Sequence, residues 1–311
     1  MNMKQWSRKW IDEYCDNRLR KSTVSIYEGY FKNYINPKLG QLEVSKISIL
    51  ELQCFYDEIV EEQKISIKTL KNMHSVIHRL LRESVKSGLI NSNPSDYIEL
   101  PRAEKSEVQI LQEYEIIKLK EAIKDKKLGI SILIALYTGL RLGEILGLKW
   151  SKVDFSKKTL EVTHSISRQS IKGSNLKKRT QLVLHEPKTE NSKRIVPLKD
   201  ELLNELIKLK QQKKLIYCRE CIEEDFVLSN RYMKPIDPRT IQEFFKRVQI
   251  KAGIEIHKFH ALRHTFASRA IRSGASDKVV SKVLGHVNSA ITSNIYVHVS
   301  EDMIKDFIDK V

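Results

Sequence analysis

Apolar positions recur at helical spacing through most of the chain and alternate in one central stretch, a pattern that predicts a mainly α protein with a small β-sheet. Trp6, Trp10 and Tyr14 line a first helix, and a second opens near Ser22 and ends before Gly40. Ser48 followed by Glu51 is a capping box for a third helix, in which the hydroxyl and the carboxylate each satisfy a free backbone N–H. The fourth is the most regular. Leu70, Met73, Ile77, Leu80 and Leu81 share its apolar face, while Lys71, His74, His78, Arg82 and Lys86 lie on others.

From Asn93 to Val108 the periodicity breaks around Pro94 and Pro101, which reads as an interdomain linker with the boundary near residue 105. The expected organisation is a helical domain over 1–100, a linker over 101–110 and a mixed α+β domain over 111–311. The second domain should open with helices over 113–125 and from Ile130 to Tyr137, then a short one from Arg141. Alternation at Leu160 and Val162, and again at Arg194, Ile195 and Val196, predicts strands between about 158 and 198. Helical spacing then returns at 199–213, 238–252, 260–273, 277–284, 288–297 and 302–309.

Length agrees with two domains, since 311 residues with 41% apolar composition can fill two separate cores. The 55 lysines and arginines outnumber the 39 acidic residues, giving a formal charge of +16 and favouring a polyanionic partner. No long apolar run or basic membrane-lying helix supports a membrane surface as that partner. The polar start MNMKQWSRKW lacks the apolar core of a secretion signal, which points to the cytoplasm and reduced thiols. Among the four cysteines, Cys218 and Cys221 form a single CxxC with no second ligand pair at matching spacing, so free thiols are expected and no metal.

The chemistry-bearing residues form an ordered set. Arg141 lies in TGLRLGE (138–144), Lys188 in EPKTENSKR (186–194), His260 and Arg263 in HALRH (260–264), His286 in LGH (284–286), and Tyr296 follows ten residues later. An arginine fork matches two phosphate oxygens, lysine or histidine can carry a proton to a leaving oxygen, and a tyrosine hydroxyl can hold a phosphoryl group covalently. A phenol of ordinary pKa ~10 needs a base or neighbouring cations to attack at neutral pH, and these side chains can supply both. Glu144, three residues beyond Arg141, is placed to orient it. Tyr137, Tyr217 and Tyr232 lack the preceding LGH and read as packing residues, as does His264.

In these motifs and their order the chain resembles the tyrosine recombinases, in particular the integrases of phages and conjugative transposons, over nearly its whole length. The resemblance implies a helical, SAM-like core-binding domain followed by a mixed α+β catalytic domain. It implies that Arg141, Lys188, His260, Arg263, His286 and Tyr296 are catalytic, with Glu144 supporting and Lys188 protonating the departing 5′ oxygen from a turn-rich segment near a hairpin tip. Lys193 and Arg194 are neighbouring rivals for that role. DNA contacts are expected from Lys68, Lys71, His78, Arg79 and Arg82, and from Arg20 and Lys21 at the entry to the second helix.

The implied activity is site-specific recombination of double-stranded DNA through a 3′-phosphotyrosine, integrating or excising a mobile element. No cofactor is implied, because the phosphotyrosine conserves bond energy. A homotetramer on two DNA sites is implied, with DNA-bending or directionality proteins as accessory partners and a nucleoid setting in a bacterial host. Ile304, Phe307, Ile308 and Val311 form an apolar stripe that either caps its own domain or docks on a neighbouring protomer. Many integrases carry a further N-terminal arm-binding domain, whereas this chain begins at the core-binding one. A type IB topoisomerase and a catalytically silent DNA-binding regulator are the alternatives.

Overall fold

The structure is a computed structural model that describes residues 1–63, 65–102, 108–170, 180–186, 193–217 and 222–285. Two compact units divide it, Met1–Ser106 and Glu107–Val311.

The first unit is helical. Helix α1 (Met3–Trp10) starts at Asn2, whose side chain accepts from the Gln5 N–H, and runs into a π-type turn over Ile11–Cys15. Helix α2 (Lys21–Tyr30) continues through a second such turn into α3 (Asn36–Leu39), so the expected second helix exists with two adjustments of pitch. At the start of α4 (Ile49–Gln63), the Ser48 N–H donates to Glu51 Oε2 at 2.7 Å and the Glu51 N–H to Ser48 Oγ at 3.2 Å, which is the capping box read from the sequence. Helix α5 (Ile67–Lys86) buries Leu70, Met73, Ile77, Leu80 and Leu81 against Trp6, Trp10, Phe31 and Leu52. Trp10 also stacks on Tyr27 with ring centroids 5.8 Å apart.

Residues 93–99 depart from the linker reading. They fold back on their own unit as a 3-10 turn over Pro94–Tyr97, capped by Asn93, with Gln53 exchanging hydrogen bonds with the backbone of Glu99. Proline breaks the helix here without freeing the chain, because Gln53 of α4 takes up backbone groups of Glu99, Asn93 caps the Ser95 N–H, and His78 of α5 holds the Asn93 and Ser95 side chains.

In the second unit α6 (Glu113–Ile123), α7 (Gly129–Thr138) and α8 (Leu142–Leu146) precede the strands. Helix α7 is apolar on nearly every side, as an enclosed helix must be, and buries Ile130, Ile132, Ile134, Ala135 and Leu136. The β-rich segment makes two sheets rather than one. β1 (Val153–Asp154), β2 (Thr159–Val162) and β5 (Arg194–Pro197) form an antiparallel sheet in the order β1-β2-β5, while β3 (Ser165–Ser170) and β4 (Thr180–His185) form an antiparallel pair. The expectation of a hairpin around Lys188 is therefore corrected. Among the described residues β4 and β5 belong to different sheets, and the paired hairpin is β3–β4.

Helices α9 (Asp200–Tyr217), α10 (Pro238–Ala252), α11 (Ala261–Arg272) and α12 (Asp277–Leu284) complete the described part. α9 runs four residues past its expected end, and the other three match to within a residue. The helices expected at 288–297 and 302–309 lie outside the described residues, as do Cys218 and Cys221. Among the described residues no helix is long and apolar enough to cross a membrane.

Candidate active site

The turn from α7 to α8 is built by its own motif. Thr138 Oγ1 donates to the Ile134 carbonyl at 2.5 Å and accepts from the Leu140 N–H at 3.3 Å, which closes the end of α7. Gly139 follows at φ +65°, a left-handed C-cap, and a Cβ there would stand 2.5 Å from Phe266 Cδ1 and 2.6 Å from Leu284 Cδ2. Gly143 is required by close approach, since its Cβ would meet Ser165 Oγ at 2.6 Å and the Ile166 carbonyl at 2.7 Å. Between these two glycines stands Arg141, the N-cap of α8, with its side chain 40% exposed.

Glu144 is the hub of that turn. Its Oε2 accepts from the Arg141 backbone N–H and its Oε1 from Arg141 Nη1, both at 2.9 Å. The same carboxylate accepts from Arg194 Nη2 at 2.8 Å and from Arg194 Nη1 at 3.3 Å. Burial alone would raise the Glu144 carboxyl, but the hydrogen bonds and charge of Arg194, with those of Arg141, hold it below the ordinary carboxylate range.

Arg263 is 2% exposed on α11 and reaches two separate helix ends, donating from Nη1 to the Gly139 carbonyl at 2.8 Å and from Nη2 to the Leu284 carbonyl at 2.9 Å. Arg194 Nε donates to the neighbouring Val283 carbonyl at 2.6 Å. Both guanidinium groups thus sit at the C-terminal carbonyls of α12, where a helix dipole favours cations. Gly285 closes α12 at φ +67° directly before His286.

His260 stands at the N-cap of α11, its ring T-shaped to His264 with centroids 4.7 Å apart. Its pKa is lowered by burial and then by the charges of Arg263 and Arg141, with Glu144 opposing, so the imidazole is neutral at pH 7 and can accept a proton. Burial, His260 and Arg263 push His264 further, to about 4, which suits the packing role expected of it. A cavity of about 700 Å³ opens beside His260 and Arg263, lined also by Lys246, Lys258 and Gln242.

The described residues therefore bring Arg141, Glu144, His260 and Arg263 together. Lys188, His286 and Tyr296 lie outside the described residues. By sequence position Arg194 is a rival of Lys188, whereas its head group is buried in the hub. β5 turns Arg194 and Val196 inward and leaves Ile195 68% exposed, an inversion that only a partnered arginine sustains and that the alternation in the sequence does not reveal. Lys193 precedes the strand and is exposed.

On the first unit, Lys68, Lys71, Arg79 and Arg82 are exposed on α5, and their spacing, with Lys86, places them along one stripe of that helix. Arg20 and Lys21 are exposed at the start of α2. Arg79 is partly committed, donating to the Tyr27 hydroxyl at 2.9 Å. His78 is turned away from the stripe: its Nδ1 lies 3.0 Å from Ser95 Oγ and 3.1 Å from Asn93 Nδ2, where it anchors the 93–97 turn.

Residues 103–303 match the Phage integrase family and residues 2–60 match the phage integrase N-terminal SAM-like domain. A tyrosine recombinase XerC-like protein of Caldanaerobacter subterraneus subsp. tengcongensis is 33% identical, the alignment covering 93% of this chain and 77% of the relative. The fold is that of the Tn1549 transposon integrase solved in complex with transposon right end DNA, with a TM-score of 0.82 at 21% identity over 100% of this chain and 99% of the other. A lambda integrase dimer bound to a COC′ core site superposes with a TM-score of 0.72 at 19% identity, covering 95% of each chain. With its family match spanning most of its length, the chain belongs to the phage integrase family and is, by enzyme class, a tyrosine recombinase.

Proposed function

We propose that this chain breaks and rejoins duplex DNA at defined sites through a 3′-phosphotyrosine formed on Tyr296. The observation that carries this reading is the joint arrangement of Arg141, His260 and Arg263: Arg263 ties the turn that presents Arg141 to the end of α12 that leads into His286, and His260 lies close enough to feel the charge of both arginines. Arg141 and Arg263 bind the nonbridging oxygens of the scissile phosphate, where charge grows in the transition state. The Tyr296 hydroxyl oxygen attacks phosphorus, the bond to the 5′ oxygen breaks, and His260 or His286 accepts the phenol proton. Lys188 delivers a proton to the departing 5′ oxygen. In the second half an incoming 5′ hydroxyl gives its proton to the now neutral Lys188 and attacks the same phosphorus, the bond to tyrosine breaks, and the phenol regains its proton from the histidine. The phosphodiester energy is held throughout in the covalent link.

In this reading the helical unit is the core-binding domain and the second unit is catalytic. Duplex DNA as substrate is supported by relatives of the same fold solved with DNA. The α5 stripe of Lys68, Lys71, Arg79 and Arg82, with Arg20 and Lys21, contacts phosphates, which would make binding salt-dependent. Four protomers act on two DNA sites in a bacterial cytoplasm, assisted by bending or directionality proteins, and move a mobile element. The C-terminal apolar stripe docks on a neighbouring protomer in that assembly.

The test is a nicked suicide duplex, built on the sequence that the wild-type chain selects from a random duplex library, resolved on a denaturing gel. Wild type is expected to form a covalent protein–DNA adduct and Tyr296→Phe none, with specific binding retained. Specific binding without an adduct from the wild type would overturn the strand-transfer reading.

A further inference from the structure

Two guanidinium groups surround one buried carboxylate at the base of the site. Glu144 and Arg194 have side chains only 8% and 6% exposed, while that of Arg141 is 40% exposed. Among the described residues, Glu144 is the only side chain that Arg141 bonds. Two cations around one anion leave one net positive charge, and geometry decides which arginine carries it outward. Arg194 makes the two-pronged contact with Glu144 and donates its Nε to Val283, so its head group is spent inside the protein. Arg141 uses one Nη on Glu144 and stands at the exposed edge.

We propose that Arg194 is a positioning residue for strand transfer: it neutralises Glu144, so that Arg141 meets the DNA phosphate as an uncompensated cation. Without Arg194 the carboxylate would face Arg141 alone, and its charge would offset the one that Arg141 presents to the phosphate as charge builds in the transition state. The same guanidinium joins three segments carrying reacting groups. It begins the strand six residues after Lys188, bonds the helix end three residues before His286, and bonds the carboxylate that fixes Arg141. The close approach of Gly285, whose Cβ would lie 3.0 Å from Arg194 Nη1, shows how tightly the chain wraps this head group. This inference rests on the reading of Arg141 as a phosphate ligand.

The test compares the full-length wild type with Arg194→Met, Glu144→Gln and the double variant. It measures the rate of adduct formation at saturating protein on the suicide duplex described above, alongside DNA affinity and Tm. Arg194→Met is expected to slow the adduct by about 100-fold while DNA affinity changes by less than about threefold, since the lost charge acts chiefly in the transition state. Adding Glu144→Gln to Arg194→Met is expected to restore the rate by about tenfold, because the offending anion is gone. A lesion that were only structural would slow the double variant at least as much as the single.

Wild-type rate in Arg194→Met, or no recovery in a folded double variant, would overturn the proposal. Should Arg194→Met fail to fold, Glu144→Gln and the double variant decide. With no carboxylate to neutralise, they are expected to agree within about threefold, and a larger gap overturns the proposal. An absent adduct in the wild type would instead sink the strand-transfer reading, an outcome distinct from any difference among the variants.

Discussion

Arg263 donates a guanidinium N–H to the carbonyl of Gly139 at 2.8 Å, joining two motifs that lie 124 residues apart in the chain. One arginine of the site is thereby held by the turn that presents the other. The turn tolerates this because Gly139 sits at φ +65° with Phe266 and Leu284 packed where a Cβ would be.

Gly139→Ala is therefore expected to strain the backbone and push on both side chains, costing about 2–4 kcal/mol. Urea unfolding monitored by circular dichroism measures it. An unchanged midpoint would show that the turn relaxes and that Phe266 and Leu284 can give way.

Acid sensitivity has a definite sign. His264 titrates near 6.5 when unfolded and at about 4 in the fold, so between those values the unfolded chain binds a proton that the folded chain refuses. Stability from this group is fully present above pH 6.5 and falls on acidification by about 1.4 kcal/mol per pH unit until His264 itself protonates. His260, lowered for the same reasons, adds to the slope in the same direction. Glu144, held below its ordinary value, contributes stability present above that value and lost as pH falls through its folded pKa. His264→Asn is expected to flatten the upper part of the profile, as followed by Tm between pH 7 and 4.5; an identical slope in variant and wild type would contradict the assignment.

On α5 the candidate contacts should separate into two kinds. Lys71→Ala and Arg82→Ala remove exposed charges, and each is expected to weaken duplex binding and reduce the salt slope by about 1, with Tm unchanged. Arg79→Ala also breaks the bond to Tyr27 and is expected to lower Tm as well. Fluorescence anisotropy across a salt series, paired with thermal melts, distinguishes them. An unaltered salt slope in Lys71→Ala and Arg82→Ala would remove the stripe from the interface.

Helix spans, caps and the order of the reactive motifs could be read from the sequence because they depend on neighbours a few residues away. The Ser48–Glu51 box and the apolar face of α5 are of this kind, as is the TGLRLGE turn, whose left-handed Gly139 and N-cap Arg141 are separated only by Leu140. Side-chain destinations depended on tertiary structure. His78 and Lys71 look alike on the helical pattern, yet one anchors a turn and the other faces outward. The alternation of Arg194, Ile195 and Val196 predicted a strand but not which face was buried, because that face is set by Glu144 and Val283, brought from 50 and 89 residues away. Nor could periodicity show that β4 and β5 part company into separate sheets, since pairing is chosen by the whole core. Local order in the chain thus determined its helices and the sequence of its reactive motifs, and long-range packing decided which arginine faces outward and which lies buried beneath it, since only a folded interior can supply a buried guanidinium with the carboxylate and carbonyls it needs.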